Sequence, residues 1–199
     1  MSRWIFLRHG QSTANAARVF SGHDDVALTE LGRAQAHDAG LQLKQLLADA
    51  PDLVAISSTL QRALQTTQIA LKAGGFSVPV QTFDALRERN LGSWQGMHID
   101  ALKKLGARDV LLRWNGQPPG GGESLKELAS RLLPCLADHD DGCTVLVGCH
   151  GGVVRTAVGL ADGLSESDLC RWNVPNCEPQ VRDYPSGIWG SPLGDGFAR

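Results

Sequence analysis

The chain has 199 residues, 42% of them hydrophobic, and a formal net charge of −2, which are typical of one globular domain. Positive and negative residues are mixed along the chain, so no overall field attracts nucleic acid or an anionic membrane surface. The apolar run near the start is too short for a signal peptide, and no stretch reaches the roughly 20 apolar residues that span a bilayer. We therefore expect a cytoplasmic protein that binds neither nucleic acid nor membranes.

The cysteines agree with a reducing environment. They are odd in number, lack C-x-x-C spacing and fall in the last third of the chain, so neither a disulfide framework nor a zinc motif is indicated. We interpret them as mostly reduced, buried thiols: Cys135, Cys143, Cys149, Cys170 and Cys177.

Short apolar segments predict the strands of a buried sheet. Trp4–Leu7, Leu53–Ile56 and Thr144–Val147 are too brief for helices and do not alternate with polar residues. That pattern is typical of parallel strands covered on both faces. A further strand is expected around Val78–Thr82, ahead of the loop that begins at Leu86.

Helices are predicted in the stretches that separate these strands. A long helix is expected from about Thr29 to Ala48. Ser58 with Gln61 has the form of a capping box, which predicts a helix beginning near Ser58. A second capping-box pattern at 124 and 127 starts another helix, which we expect Pro134 to kink or end early.

The order of these elements predicts one doubly wound α/β domain, with a single, mostly parallel sheet and helices on both faces. We assign residues 1–184 to this domain. Residues 185–199 are rich in Gly and Pro, hold few core-forming residues and are interpreted as a partly disordered tail. Gly116–Gly122 has the composition of a mobile loop.

Charged and polar residues follow three of the predicted strands. The first strand ends in Arg8–Gly10, the second leads through Ser57 and Ser58 to Arg62, and the third ends in His150–Gly152. In open α/β sheets ligands bind beyond the carboxyl ends of the strands, so two arginines and two histidines are expected at one edge. Guanidinium groups and the N–H groups of a helix beginning at Gly151 match phosphate oxygens. The sequence therefore predicts a phosphate pocket that contains a nucleophile.

Glu88 is the best-placed proton donor for a leaving group, because it follows the predicted strand near residue 80. It lies between Arg87 and Arg89, so a surface salt bridge is the plainer interpretation. No group of His, Cys, Asp and Glu has the spacing of metal ligands. A metal site is not predicted.

The segment 7–15, LRHGQSTAN, resembles the opening motif of the histidine phosphatase superfamily, the group that includes the phosphoglycerate mutases. Further segments resemble that family in the same order along the chain. They are residues 22–36, 57–66, 86–96, 121–124 and 150–152. A single R-H-G tripeptide is weak evidence, whereas ordered blocks at compatible spacing are specific.

The resemblance implies a phosphoglycerate mutase-like fold and a phosphatase that uses neither metal nor cofactor. In this interpretation His9 attacks phosphorus and becomes phosphohistidine, while Arg8, Arg62 and His150 hold the phosphoryl oxygens. Glu88 is the implied proton donor. The implied substrate is a small phosphorylated metabolite.

The resemblance also indicates residues that line the phosphate pocket. Asn15 and the backbone of Gly22 are implied there, beside the helix that begins at Gly151. Gln11 and Gln95 depart from the family pattern, because many relatives have Glu at these positions. Neither residue has a catalytic step, so the departure concerns the substrate.

Other residues near these segments have plainer interpretations. Trp94 and Trp114 are packing residues or walls of the substrate pocket. Lys103, Lys104 and Arg113 are most simply a solvated face, with a second anion site as the weaker alternative.

A different nucleophile is suggested by Cys149–Thr156, CHGGVVRT, which resembles the C-x5-R-[ST] loop of cysteine-dependent phosphatases. A thiolate at a helix N-terminus is a plausible nucleophile. Those enzymes usually have His before the Cys, where this chain has Gly148. We therefore expect Cys149 to be structural and Arg155 to lie on the helix behind the site.

Two further functions stay open at the level of sequence. A cofactor-dependent phosphoglycerate mutase is one, which we disfavour because we expect a chain of 199 residues to lack the extra segments of typical mutases. A module that binds a phosphorylated ligand without turnover is the other, since fold does not fix function. The sequence defines neither the substrate nor the oligomeric state.

Overall fold

The computed structural model describes residues 1–48 and 52–190. Its centre is a five-stranded sheet in the order β3-β2-β4-β1-β5. The first four strands of this order are parallel, and β5 is antiparallel to β1. The strands are β1 (Ser2–Arg8), β2 (Leu53–Ser58), β3 (Val80–Phe83), β4 (Thr144–Cys149) and β5 (Gln180–Tyr184). The predicted mostly parallel sheet is confirmed.

Helices surround this sheet and connect its strands. The α-helices are α1 (Thr13–Ala16), α2 (Glu30–Leu46), α3 (Gln61–Gly74), α4 (Ile99–Lys104), α5 (Ala107–Leu111), α6 (Leu125–Ala137), α7 (Gly151–Ala161) and α8 (Glu166–Arg171). Short 3₁₀ turns cover Asp84–Leu86, Gly92–Trp94 and Ile188–Gly190. None of the helices in this part of the chain is long and apolar enough to cross a membrane.

The interior strand β1 is apolar on both sides because both faces of the sheet are covered. Trp4 and Phe6 belong to a core cluster that includes residues of α6 and α7. Ile5 and Leu7 belong to the cluster on the other face, with residues of α2 and α3. All four side chains are 0% exposed. Helices on both faces, the predicted doubly wound arrangement, are therefore confirmed.

The two predicted capping boxes have different outcomes. In α6, Ser124 and Glu127 form the predicted capping box. The capping box at Ser58 is wrong, because Ser58 is the last residue of β2 and the N-cap of α3 is Leu60, without a side-chain cap. The hydroxyl of Ser58 instead accepts the N–H of Leu60 at 3.2 Å.

The expected early end of α6 at Pro134 is also wrong, since the helix continues to Ala137. A proline inside a helix removes one backbone hydrogen bond and crowds the preceding turn. Leu132 and Leu136, on either side of Pro134, are fully buried in the core. Burial of these side chains offsets the cost of the proline.

The C-terminal part of the described chain packs on the sheet more closely than its composition indicated. The strand β5 was not predicted. After it, Trp189 is 2% exposed, and its ring lies edge-on to Trp4 and Tyr184, with ring centroids 5.1 and 5.4 Å apart. Ile188 and Trp189 therefore pack against the core. Residues 191–199 of the predicted tail lie outside the described residues, and the domain boundary stays a prediction.

Candidate active site

The register of the sheet brings the predicted site residues together. Arg8 of β1 pairs with Cys149 of β4, so the residues that follow them, His9 and His150, leave the sheet side by side. Their ring centroids are 5.2 Å apart with 63° between the planes. Both side chains are buried. The predicted meeting of the strand ends at one edge is thus present.

His9 is held in one tautomer by its own backbone surroundings. Its Nδ1 lies 2.7 Å from the carbonyl oxygen of Gly10. A carbonyl oxygen only accepts hydrogen bonds, so Nδ1 carries the hydrogen and Nε2 keeps its lone pair. The N–H of His9 donates to the carbonyl of Cys149 at 2.9 Å, which fixes the main chain as well.

The electrostatic surroundings keep His9 neutral. Burial lowers its pKa from the ordinary value of 6.5 to about 3, and the nearby Arg62 and Arg8 act in the same direction. Desolvation and neighbouring cations both disfavour imidazolium. At neutral pH His9 is therefore an uncharged imidazole with a free lone pair, which is the form that acts as a nucleophile.

Three buried nitrogen atoms beside His9 have no hydrogen-bond partner within the described residues. They are Nε of Arg8, Nε of Arg62 and Nδ1 of His150. The charges of Arg8 and Arg62 act on both His9 and His150 and lower the pKa of each ring. Unpaired buried donors are costly and call for an explanation. An anion between these groups would satisfy all three.

His150 is oriented by the end of β2. Its Nε2 lies 2.9 Å from the hydroxyl of Ser58, which has one hydrogen to donate. Burial and the cations Arg62 and Arg8 lower the pKa of His150 well below its ordinary value, so the ring is neutral. In the tautomer in which Ser58 donates to Nε2, the ring hydrogen lies on the unpaired Nδ1. His150 is then a donor to an anion.

Terminal nitrogens of both arginines donate to backbone carbonyls, which fixes the positions of the guanidinium groups. Arg62 donates to the carbonyls of Gly22 and Asp24, both at 2.8 Å. Arg8 donates to the carbonyl of Val174. The predicted contribution of the Gly22 backbone thus takes the form of a carbonyl that anchors Arg62.

Glu88 is held over the start of α7 and does not form the surface salt bridge of the plainer interpretation. Its Oε2 accepts the N–H of Gly152 at 3.1 Å, and its Oε1 accepts the N–H of Arg89 at 2.8 Å. Arg89 points elsewhere, since its guanidinium donates to carbonyl oxygens including those of Glu123 and Leu111. Among the described residues, the ion pairs within 4 Å do not include Glu88.

Close packing at a glycine places the nucleophile beside α2. A Cβ on Gly10 would lie 2.2 Å from the carbonyl oxygen of Gly32. Only glycine allows the backbone of the His9 segment to approach the start of α2 so closely. The G of the R-H-G motif therefore has a packing role.

A cavity of about 630 Å³ joins these groups. Its walls include seven of the eight predicted site residues: Arg8, His9, Asn15, Gly22, Arg62, Glu88 and Gly151. His150 adjoins it through the ring of His9. Asn15 also completes the capping box of α1 with Ser12. Trp94 and Trp114 do not line the cavity; both are buried in apolar clusters.

The cavity has further cationic walls that the sequence interpretation missed or misplaced. They are Arg18, Arg89, Lys103, Arg108 and Arg155. Placing Arg155 behind the site was wrong, because it lines the cavity. The spacing along the helix could have predicted this position, since Arg155 lies four residues after Gly151 and so shares its face of α7.

Cys149 does not have the surroundings of a nucleophile. It is the last residue of β4, is 0% exposed and belongs to the apolar core. Burial raises the pKa of its thiol, with the charge of Glu88 acting in the same direction. A catalytic thiolate needs a lowered pKa and access to the substrate, so the geometry favours the structural interpretation. The other cysteines are also free thiols.

The described residues contain no group of three or more His, Cys, Asp and Glu side chains that could hold a metal ion. Fold and site together define an α/β protein with two histidines and two arginines at the carboxyl edge of its sheet. The family model of the histidine phosphatase superfamily (branch 1) matches residues 4–190. The chain belongs to this family.

Similar proteins include both mutases and phosphatases. The chain is 36% identical over 188 residues to a 2,3-bisphosphoglycerate-dependent phosphoglycerate mutase of Nitrobacter winogradskyi, covering 89% of each chain. With the mutase of the same name from Cytophaga hutchinsonii it shares 31% identity over 193 residues, covering 92% of this chain and 88% of that protein. A solved mycobacterial glucosyl-3-phosphoglycerate phosphatase, in complex with VO3, has a TM-score of 0.78 at 27% identity and 90% coverage of each chain. Because the chain spans most of the length of these mutases, the expected lack of mutase segments does not separate it from them.

Proposed function

We propose that this protein is a metal-independent phosphomonoesterase that acts on a small phosphorylated metabolite through a phosphohistidine on His9. The observation that carries the proposal is the free Nε2 lone pair of His9 beside three unpaired buried donors. This arrangement combines a nucleophile with stabilisation of the charge on a transferring phosphoryl group. A cytoplasmic location, without nucleic-acid or membrane partners, is part of the same proposal.

In the first step Nε2 of His9 attacks phosphorus, and the bond from phosphorus to the alcohol oxygen breaks. Arg8, Arg62 and His150 stabilise the phosphoryl oxygens, which is where catalysis of phosphoryl transfer mostly arises. Glu88 in its protonated form gives its proton to the leaving alcohol. The products are phosphohistidine and the free alcohol.

In the second step water attacks the phosphohistidine. Glu88, now a carboxylate, takes a proton from the water as its oxygen bonds to phosphorus. The bond between phosphorus and Nε2 breaks, and His9 returns to the neutral imidazole. Inorganic phosphate then leaves the pocket. Asn15 and the start of α7 at Gly151 line this pocket.

A phosphoglycerate mutase is the second candidate, because the sequence relatives at 31–36% identity carry that name. The phosphatase is favoured by the likeness in structure to the mycobacterial phosphatase. The two activities share the first step and differ in whether the phosphohistidine returns its group to an alcohol or gives it to water.

The proposal is tested by assaying wild type, His9→Ala and Cys149→Ser on p-nitrophenyl phosphate and a panel of phosphorylated metabolites, with EDTA present. We expect hydrolysis by wild type and Cys149→Ser, and a loss of about a thousandfold or more in His9→Ala. His37→Ala is the matched control, since this histidine lies on the exposed side of α2 and its side chain is 59% exposed. Hydrolysis that survives in His9→Ala, or that stops with EDTA, would contradict the proposal.

The mutase is tested separately with 3-phosphoglycerate, in the presence and absence of 2,3-bisphosphoglycerate. Conversion to 2-phosphoglycerate faster than release of inorganic phosphate would establish the mutase. Binding of ligands without either reaction across the panel would indicate a binding module.

A further inference from the structure

The cavity is much larger than a phosphoryl group needs. His9, Arg8 and Arg62 form one part of its walls. The remaining walls come from the segment after α1, from α4 and α5, and from α7 and the loop that follows α8. This outer part must receive the alcohol half of the substrate, so its chemistry defines the substrate class.

Several cationic side chains in the outer walls already have hydrogen-bond or ion-pair partners. Asp100 pairs with Arg18 at 3.2 Å and with Lys103 at 3.4 Å. Arg89 is buried, and its guanidinium donates to backbone carbonyls. These three cations are therefore occupied.

Arg108 also lines the cavity, but it is exposed to solvent. Arg155 differs from these other cations. Its contact within the described residues is one hydrogen bond from a terminal nitrogen to the carbonyl of Trp172, at 3.3 Å. No carboxylate within 4 Å pairs with it in this part of the chain. It lies on α7 one turn after Gly151 and is only partly buried, so the rest of its guanidinium is accessible from the cavity.

The charged neighbours of Arg155 favour the binding of an anion beside it. Its charge repels those of Arg8 and Arg89. The carboxylate of Glu88 acts on both Arg8 and Arg89, and its oxygens already accept two backbone N–H groups. Glu123 is engaged with Arg131 at 2.7 Å. The wall near Arg155 thus holds more positive than negative charge.

We propose that the substrate carries a second anionic group besides its phosphoester, and that Arg155 binds this group. A planar guanidinium with free N–H groups matches a carboxylate or a phosphate. The inference rests on the proposed function, because it assumes that the phosphoryl group occupies the His9 end of the same cavity. It assigns Arg155 as a residue that determines substrate specificity.

The test measures binding and needs no turnover. Calorimetry compares ω-carboxyalkylphosphonates with alkylphosphonates of equal chain length, over a series of lengths. The phosphonate is a non-hydrolysable stand-in for the phosphoester, and each pair differs only in the terminal carboxylate. In wild type we expect the carboxylated member of at least one pair to bind about tenfold more tightly.

Variants assign the difference to Arg155. In Arg155→Met the carboxylated and plain phosphonates should bind equally, at the affinity that plain phosphonates have for wild type. Arg155→Lys should keep part of the preference, because it retains the charge without the planar geometry. Arg171→Met is the matched control, since Arg171 is an exposed arginine of α8 outside the cavity walls; it should keep the full preference.

Equal affinities for every pair in wild type would overturn the inference, as would a preference that persists in Arg155→Met. A variant that weakens both members of each pair equally would place Arg155 in the phosphate site or the fold, which also contradicts it. The proposed function fails by a different result, the hydrolysis of p-nitrophenyl phosphate by His9→Ala, so the two failures are distinguishable.

Discussion

Oε2 of Glu88 accepts a hydrogen bond from the main-chain N–H of Gly152, with 3.1 Å between the two atoms. This contact joins the proposed proton donor to the helix that begins beside His150. It requires a residue without a side chain at 152, because a Cβ there would lie 2.1 Å from Oε1 of Glu88. The second glycine of H-G-G thus makes room for the carboxyl group.

We predict that Gly152→Ala displaces the Glu88 carboxyl group and leaves the nucleophile in place. Hydrolysis of alkyl phosphates should fall about 10²-fold or more, the contribution of a general acid. Hydrolysis of p-nitrophenyl phosphate should fall less, because nitrophenolate leaves without a proton. Steady-state kinetics on both kinds of substrate measure the difference.

A double-mutant cycle provides the control for this prediction. If Gly152→Ala acts through Glu88, adding it to Glu88→Gln should change the rate little further, since coupled residues are not additive. Independent effects that multiply in the double variant would show that Gly152 acts by another route.

The lowered pKa of His9 predicts how stability depends on pH. In the unfolded chain the imidazole titrates near 6.5, whereas in the folded protein its pKa is about 3. Between these values the unfolded chain binds more protons, so the free energy of unfolding falls as the pH is lowered, by up to about 1.4 kcal/mol per unit for this group. His150 contributes in the same direction.

Urea unfolding of wild type and His9→Gln at about pH 7, 5.5 and 4.5 tests this dependence. The stability of His9→Gln should fall less steeply below about pH 6.5. The exposed His37 supplies the control, because His37→Gln should follow wild type. Parallel curves for wild type and His9→Gln would show that the pKa of His9 is not lowered by folding.

Asn176 holds the backbone of His9 in place through a hydrogen bond. Its Nδ2 donates to the carbonyl of His9 at 2.6 Å, and the next residue, Cys177, donates its N–H to the carbonyl of Arg8 at 3.0 Å. We predict that Asn176→Ala lowers kcat about tenfold with little change in KM, because small displacements of a reacting group are costly. Asn176→Asp should lose as much, since a carboxylate oxygen cannot donate. Unchanged kcat in both variants would rule out this positioning role.

The strand and the ligand-binding edge could be predicted from one local pattern, an apolar run followed by polar residues. The apolar run at Trp4–Leu7 and the polar residues after it defined a buried strand and the ligand-binding edge, because parallel strands end together. The edge strand Gln180–Tyr184 was missed, since its outer residues are polar and its pairing with β1 is long-range. Local patterns do not encode such pairing.

Side-chain partners were harder to predict than positions. Ser58 had the local pattern of a helix cap, yet its hydroxyl meets His150, 92 residues away. Arg62 and Arg8 line the cavity, but sequence did not reveal that their terminal nitrogens donate to the carbonyls of Gly22, Asp24 and Val174. These contacts depend on loops whose paths no periodic pattern defines.

The central claim is that His9, and not Cys149, receives the phosphoryl group. The most direct measurement is mass spectrometry of peptides from wild type, His9→Ala and Cys149→Ser after rapid alkaline quenching of the reaction with p-nitrophenyl phosphate. We predict one phosphoryl group on the peptide containing His9 in wild type and in Cys149→Ser, and none in His9→Ala. A phosphoryl group on the peptide containing Cys149, or full turnover in His9→Ala, would contradict the account.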